Sequence, residues 1–156
     1  KPEPGPVVVT IMDRDNVAQV AVLRHRASKR TLIVSNCHLL FNQNRGEIKL
    51  GQLLGIFRVI AEFKALFAAA NPGVLVAGDF NSTPWGSLQS GFRAGTGFDN
   101  RGRLAFTWPS WAPAIFRLPI DQIFAQGAVV VRDYRAGPAG GSDHLPVLAE
   151  IYRRAP

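Results

Sequence analysis

Residues 74–78, VLVAG, are apolar throughout. A strand with no polar face belongs in the middle of a sheet that is covered on both sides. That segment therefore demands a layered fold, and the sequence around it supplies candidate layers. Upstream, Leu50, Leu53, Leu54, Phe57, Ile60, Phe63 and Phe67 recur at helical spacing and predict a long helix over 47–70. Asn71-Pro72-Gly73 stops it. Before the helix, VVVTIM at 7–12, VAQVAVLR at 17–24 and TLIVS at 31–35 read as three strands of an antiparallel meander, with a turn at Asp13–Asn16. After the apolar strand, Ser82 or Thr83 ahead of Pro84 predicts a capped short helix ending near Phe92. Residues 93–119 are irregular and carry Phe98, Phe106, Trp108, Trp111 and Phe116; a loop of that length is usually functional or mobile. Strands return at 119–124, 128–134 and 145–152. The order predicts an α/β fold in one domain over 1–156, a mixed sheet with helices packed on its outer face.

The net charge of +7 comes mostly from arginine. Such a surface favours polyanions, either nucleic acid or anionic lipid headgroups; an arginine-rich high-GC genome explains it equally well. Cys37 is the single cysteine, which excludes an internal disulfide and a cysteine-based zinc site. One cysteine also fits a reducing, cytoplasmic compartment. The opening KPEPGP is not a signal peptide, and no apolar run approaches the roughly 20 residues that span a bilayer, so a soluble chain with no transmembrane segment is expected.

Polar residues gather where the apolar strands stop. SNCHLL carries His38, GDFN carries Asp79 and Asn81, LPIDQIF carries Asp121, and GGSDHLPV carries Asp143 and His144. Singly, each has an ordinary structural explanation: an Asx-turn, a hydrogen-bonded histidine, loop filler. A carboxylate inside an apolar strand, Asp121, needs a partner. Taken together, two histidines, three aspartates and an asparagine at strand termini, where α/β sheets bind ligands, suit hydrolysis of a phosphate ester.

Asn36-Cys37-His38-Leu39, Gly78-Asp79-Phe80-Asn81, Ile120-Asp121 and Ser142-Asp143-His144, in that order, resemble the motifs of the endonuclease/exonuclease/phosphatase superfamily of DNase-I-like enzymes. Residues 11–54 resemble its Angel/nocturnin deadenylase branch, and 72–152 resemble bacterial members; a chimera is one explanation of that change. The resemblance implies a DNase-I-like sandwich and a Mg²⁺- or Mn²⁺-dependent phosphodiesterase. Asp79 would orient or deprotonate the attacking water, and Asn81 would hold water or phosphate. His144 would contact a phosphate oxygen with Asp121 on its other ring nitrogen, and His38 would contact phosphate from the opposite side. Asp143 would bind the metal. Asn36, Trp108 and Arg117 are the candidate substrate contacts.

The family's early asparagine, its metal-binding glutamate and the carboxylate that pairs with the first histidine have no counterpart here; the only glutamates are Glu3, Glu47, Glu62 and Glu150. The chain thus reads largely as the C-terminal half of the domain. On that reading His38 lacks its usual partner, and one sheet face lacks the layer that would bury it. Such a face predicts a homodimer. Two other functions compete with the enzyme: a half-domain without competent metal binding, and a basic nucleic-acid-binding module in which Trp108, Trp111 and Phe116 stack on bases. The proline-rich spacing of TWPSWAPAIFRLP favours a rigid plug against the sheet over an open stacking platform.

Overall fold

A computed structural model describes residues 7–10, 16–42, 44–100 and 102–154. The first strand, β1 (Val7–Thr10), antiparallel β2 (Val17–Arg24) and β3 (Thr31–His38) form the expected meander. Ile11, Met12 and the turn at Asp13–Asp15 lie outside the described residues. Helix α1 (Gly46–Leu66) then crosses to β4 (Gly73–Asp79), which pairs parallel with β3 and antiparallel with β5 (Asp121–Gly127). The strand order is β1-β2-β3-β4-β5, and helix α2 (Ser87–Thr96) joins α1 on one face.

The apolar segment behaves as its composition requires. Val74 and Val76 point under α1 into a core with Ala18, Val20, Ile33, Leu53, Ile56 and Phe124. Phe92 closes that core, its ring centroid 4.9 Å from Phe124 and 5.3 Å from Phe57. Leu75 points the other way, into a second core with Ala125, Val131 and Tyr134.

That second core corrects the expectation of one uncovered sheet. Strands β6 (Val129–Ala136) and β7 (Val147–Arg153) form a separate antiparallel pair instead of extending the first sheet. Val129, Val131, Val147 and Ala149 pack onto the face of β3–β5 opposite the helices. Cover is incomplete over β2, where Val17 and Leu23 are each 52% exposed.

Two local expectations also change. Neither Ser82 nor Thr83 caps a helix: the Gly86 N–H donates to the Thr83 carbonyl at 3.0 Å, closing a turn, and α2 begins only at Ser87, with Gly86 as its N-cap. On α1, Leu50 and Leu54 are exposed, whereas Lys49 and Gln52 are buried. These two polar side chains bond to the backbone just past the ends of β3 and β4.

Candidate active site

Register lines up three of the sequence-predicted residues. His38 on β3 lies opposite Asp79 on β4, and Asp79 lies opposite Asp121 on β5. Side chains alternate along a strand, so register partners share a face. The three therefore form one row across adjacent strands, on the inner face between the two sheets. Asn36 lies two residues before His38 on the same face, exposed. Phe80, next to Asp79, turns to the opposite face and is fully buried in the helix-side core. This alternation explains the order Asp-Phe-Asn: a site group at the end of the strand, an anchor, then a turn residue. Asn81 sits at φ +46°, left-handed, a conformation asparagine tolerates better than most.

His144 arrives from the β6–β7 connection. Its Nδ1 lies 2.8 Å from Asp121 Oδ2, and the Thr107 hydroxyl donates to the same oxygen at 2.5 Å. The Asp121 backbone carbonyl accepts from Tyr134 Oη at 2.9 Å. Ligand atoms of Asp79, Asp121 and His144 all lie within 4.8 Å of one another. A cleft of about 500 Å³ opens beside them, lined by Gly78, Asp121, Ser142 and His144 among others.

Asp79 Oδ1 accepts the Asn81 N–H at 2.7 Å. Its Oδ2 is 3.5 Å from His38 Nε2, so the first histidine, without the family's usual partner, has Asp79 beside it. The Asp79 side chain is only 13% exposed. Burial pushes its carboxyl above the ordinary range, as does the neighbouring Asp121 charge, against the opposing effects of the Asn81 N–H and of His144 and His38. The Asn81 amide is engaged with backbone: its Nδ2 donates to the Leu39 carbonyl at 2.8 Å, tying together the chain just past the ends of β3 and β4.

Asp143 lies outside the three-residue cluster. It is exposed, and its Oδ2 accepts from the Trp108 indole at 3.3 Å. Arg117 does not line the cleft; its Nε and Nη2 donate to the Ala112 and Ser110 carbonyls at 2.8 and 3.0 Å, bracing its own loop. The plug reading of that loop is overturned, since Trp111 is 81% and Phe116 69% exposed.

Sequence reasoning missed Lys49, Gln52 and Thr107. Lys49, 4% exposed, donates from Nζ to the Asn81 carbonyl at 2.6 Å, and burial lowers its basicity. Gln52 Oε1 accepts the Leu40 N–H at 2.9 Å, and Nε2 donates to Asn16 Oδ1 at 3.2 Å. Both hold the strand ends that carry His38 and Asp79. Their only sequence signal is position: each stands beside an apolar residue, Ile48 and Leu53, on the face of α1 that packs on the sheet.

The pattern of the Endonuclease/Exonuclease/phosphatase family matches residues 5–144. The chain belongs to that family. A curated relative in this family, protein angel homolog 2 of Danio rerio, is 42% identical over 83 residues, covering 51% of this chain. The chain spans 15% of that relative's length. Among solved structures, the human nocturnin catalytic domain with bound sulfate aligns with TM-score 0.72 at 16% identity, over 97% of this chain and 59% of that one. An endonuclease/exonuclease/phosphatase from Bacteroides vulgatus aligns with TM-score 0.71 at 22% identity, over 89% of this chain and 56% of that one. The α/β, DNase-I-like fold of the family is thus the fold of this chain, and both branches named from the sequence appear among its likenesses. No described helix is long and apolar enough to cross a membrane.

Proposed function

We propose that the chain is a phosphoesterase that cleaves a phosphodiester, of nucleic acid or another polar substrate, by attack of water activated at Asp79. The observation that carries this reading is the convergence of Asp79, Asp121 and His144 within 4.8 Å beside an open cleft, in a family of phosphate-ester enzymes. Asp79 is the general base. A buried carboxylate with a raised pKa is a stronger proton acceptor than a solvated one. Its Oδ1 is held by the Asn81 N–H, which leaves Oδ2 for the water. Asp121 accepts the Nδ1 proton of His144 and thereby presents Nε2 to a phosphate oxygen, where charge builds as water adds. Thr107 fixes the Asp121 carboxylate. His38, 66% exposed at the other end of the row, is placed to touch the same phosphate group from the opposite side.

The donor set fits a divalent cation. Two carboxylates match the oxygen preference of Mg²⁺, and an added imidazole is better tolerated by Mn²⁺. Asp121, through the Oδ1 that neither Thr107 nor His144 engages, would hold the ion beside Asp79, in place of Asp143, which accepts from the Trp108 indole. When bound, the cation neutralises phosphate charge.

Hydrolysis of bis(4-nitrophenyl) phosphate with Mg²⁺ or Mn²⁺, paired with calorimetric titration of each ion, tests the reading. Turnover and ion binding are both expected, and Asp121→Asn is expected to weaken both. Because Asp79 must be ionised, the acidic limb of the rate profile should lie above the ordinary carboxylate range. No heat and no turnover with either ion would favour the half-domain without competent metal binding.

Assembly follows from the same incomplete sandwich. Val17 and Leu23 on β2 and Ile151 on β7 leave apolar surface exposed, which pairing of two copies would bury. Sedimentation at micromolar concentration should give a dimer; a monomer across that range would overturn the pairing.

A further inference from the structure

The loop that braces the His144 segment also carries three exposed large apolar side chains. Trp111 is 81%, Ile115 85% and Phe116 69% exposed, all within six residues. Scattered apolar residues on a surface need no explanation, but a contiguous group does. Disorder does not explain it, because the loop is built. Arg117 spends its guanidinium on the Ala112 and Ser110 carbonyls. The Ser110 N–H donates to the Asp143 carbonyl at 2.7 Å, and Ser110 Oγ donates to the Ser142 carbonyl at 2.7 Å. These bonds hold the tip rigidly outward and tie its base to the residues flanking His144.

The local charge pattern narrows the partner. Leu104 through Phe116 is a run without any charged residue, and between Asp99 and Asp121 the only charges are Arg101, Arg103 and Arg117. An apolar tip with tryptophan at its edge, on a chain of net charge +7, has the chemistry of a membrane interface under an anionic lipid surface. A single-stranded nucleic acid is the less suitable partner. Ile115, the most exposed of the three, offers no stacking face, and the neighbouring Arg117 is already committed to carbonyls.

We infer that Trp111, Ile115 and Phe116 form a peripheral anchor that seats this chain on anionic bilayers. Insertion of the tip would set the segment 142–144, and with it His144, at the level of lipid headgroups. The anchor does not rest on the catalytic reading, since none of its three side chains belongs to the Asp79, Asp121 and His144 cluster.

Co-sedimentation with phosphatidylcholine vesicles, with and without phosphatidylglycerol, tests it. Binding is expected to the anionic vesicles, with indole emission quenched by brominated acyl chains. A variant with Trp111→Ser, Ile115→Ser and Phe116→Ser should lose affinity at least tenfold while keeping its melting temperature, because these side chains pack on little. Trp111→Phe should keep binding but lose most of the lipid-dependent quenching. Asp79→Asn should bind like the wild type, which separates failure of the anchor from failure of the catalytic reading. Equal binding by the triple variant, or no wild-type binding to either vesicle, would overturn the inference. So would a loss confined to single-stranded oligonucleotide binding, which would make the tip a base-stacking surface.

Discussion

Replacing Asp79 with asparagine is expected to lower the rate of phosphodiester hydrolysis by roughly 10²–10⁴-fold without lowering the melting temperature. The first effect is the loss of the proton acceptor. The second follows from where the carboxylate sits. Asp79 is mostly buried between the sheets, and burial raises its pKa in the folded chain. The fold therefore binds its proton more tightly than the unfolded chain does. For this one group, stability falls as pH rises from the ordinary carboxylate range through the raised folded value, and stays lower above it. Asparagine is neutral at every pH and nearly isosteric, and it can still accept the Asn81 N–H through its amide oxygen. It removes a cost that the ionised carboxylate imposes. Thermal melting and turnover should thus move in opposite directions, or melting should hold while turnover collapses. A variant with wild-type turnover would remove Asp79 from the mechanism. A clearly lower melting temperature would mean that the carboxylate stabilises the fold and is not held against solvation for chemistry.

The second large effect is expected at Gly78. Its φ is +138°, a region that residues with a side chain rarely enter, and an added Cβ would lie 1.8 Å from the Cys37 carbonyl oxygen. That oxygen belongs to the neighbouring strand, and Cys37 is Gly78's register partner. No rotamer change relieves a clash with backbone. Alanine there requires β3 and β4 to part at the level just before His38 and Asp79. Adding the left-handed penalty of about 1–2 kcal/mol to that displacement, Gly78→Ala should cost more than about 3 kcal/mol. For a domain of this size that corresponds to a drop of at least roughly 6 °C in melting temperature. An alanine variant that melts like the wild type would show that the two strands can separate here without penalty.

Much of this site is visible in the residues because strand ends announce themselves. Asp79 and Asp121 each follow an apolar run and His144 precedes one, positions where a polar side chain is conspicuous, and the structure brings all three together. Asn36, Trp108 and Arg117 were harder to place. Sequence shows that a residue stands in a loop but not which backbone carbonyl it faces, and Arg117 faces two of its own loop. Lys49 and Gln52 were invisible for a related reason. Helical periodicity ranks residues by hydrophobicity, so a polar side chain buried to bond a distant strand end counts against the helix face it occupies. The second sheet was missed because alternation along β6 and β7 says that one face is covered and not by which strands. The expectation of an open face came from the resemblance, in which the family's other half supplies the covering layer; β6 and β7 supply it here, and the exposed apolar surface narrows to part of β2 and β7.

The row His38, Asp79, Asp121 has a further consequence. Neighbouring strands are held about 4.8 Å apart by their own peptide hydrogen bonds, whatever the side chains. The spacing of the backbone positions that carry these three side chains is therefore copied from the repeat of the main chain and not from any loop. Lineages can lengthen, shorten or exchange the connections around such a row, and so change what enters the cleft, while the ruler that spaces the reacting groups stays the same. A site spaced in this way keeps its geometry while the loops around it change.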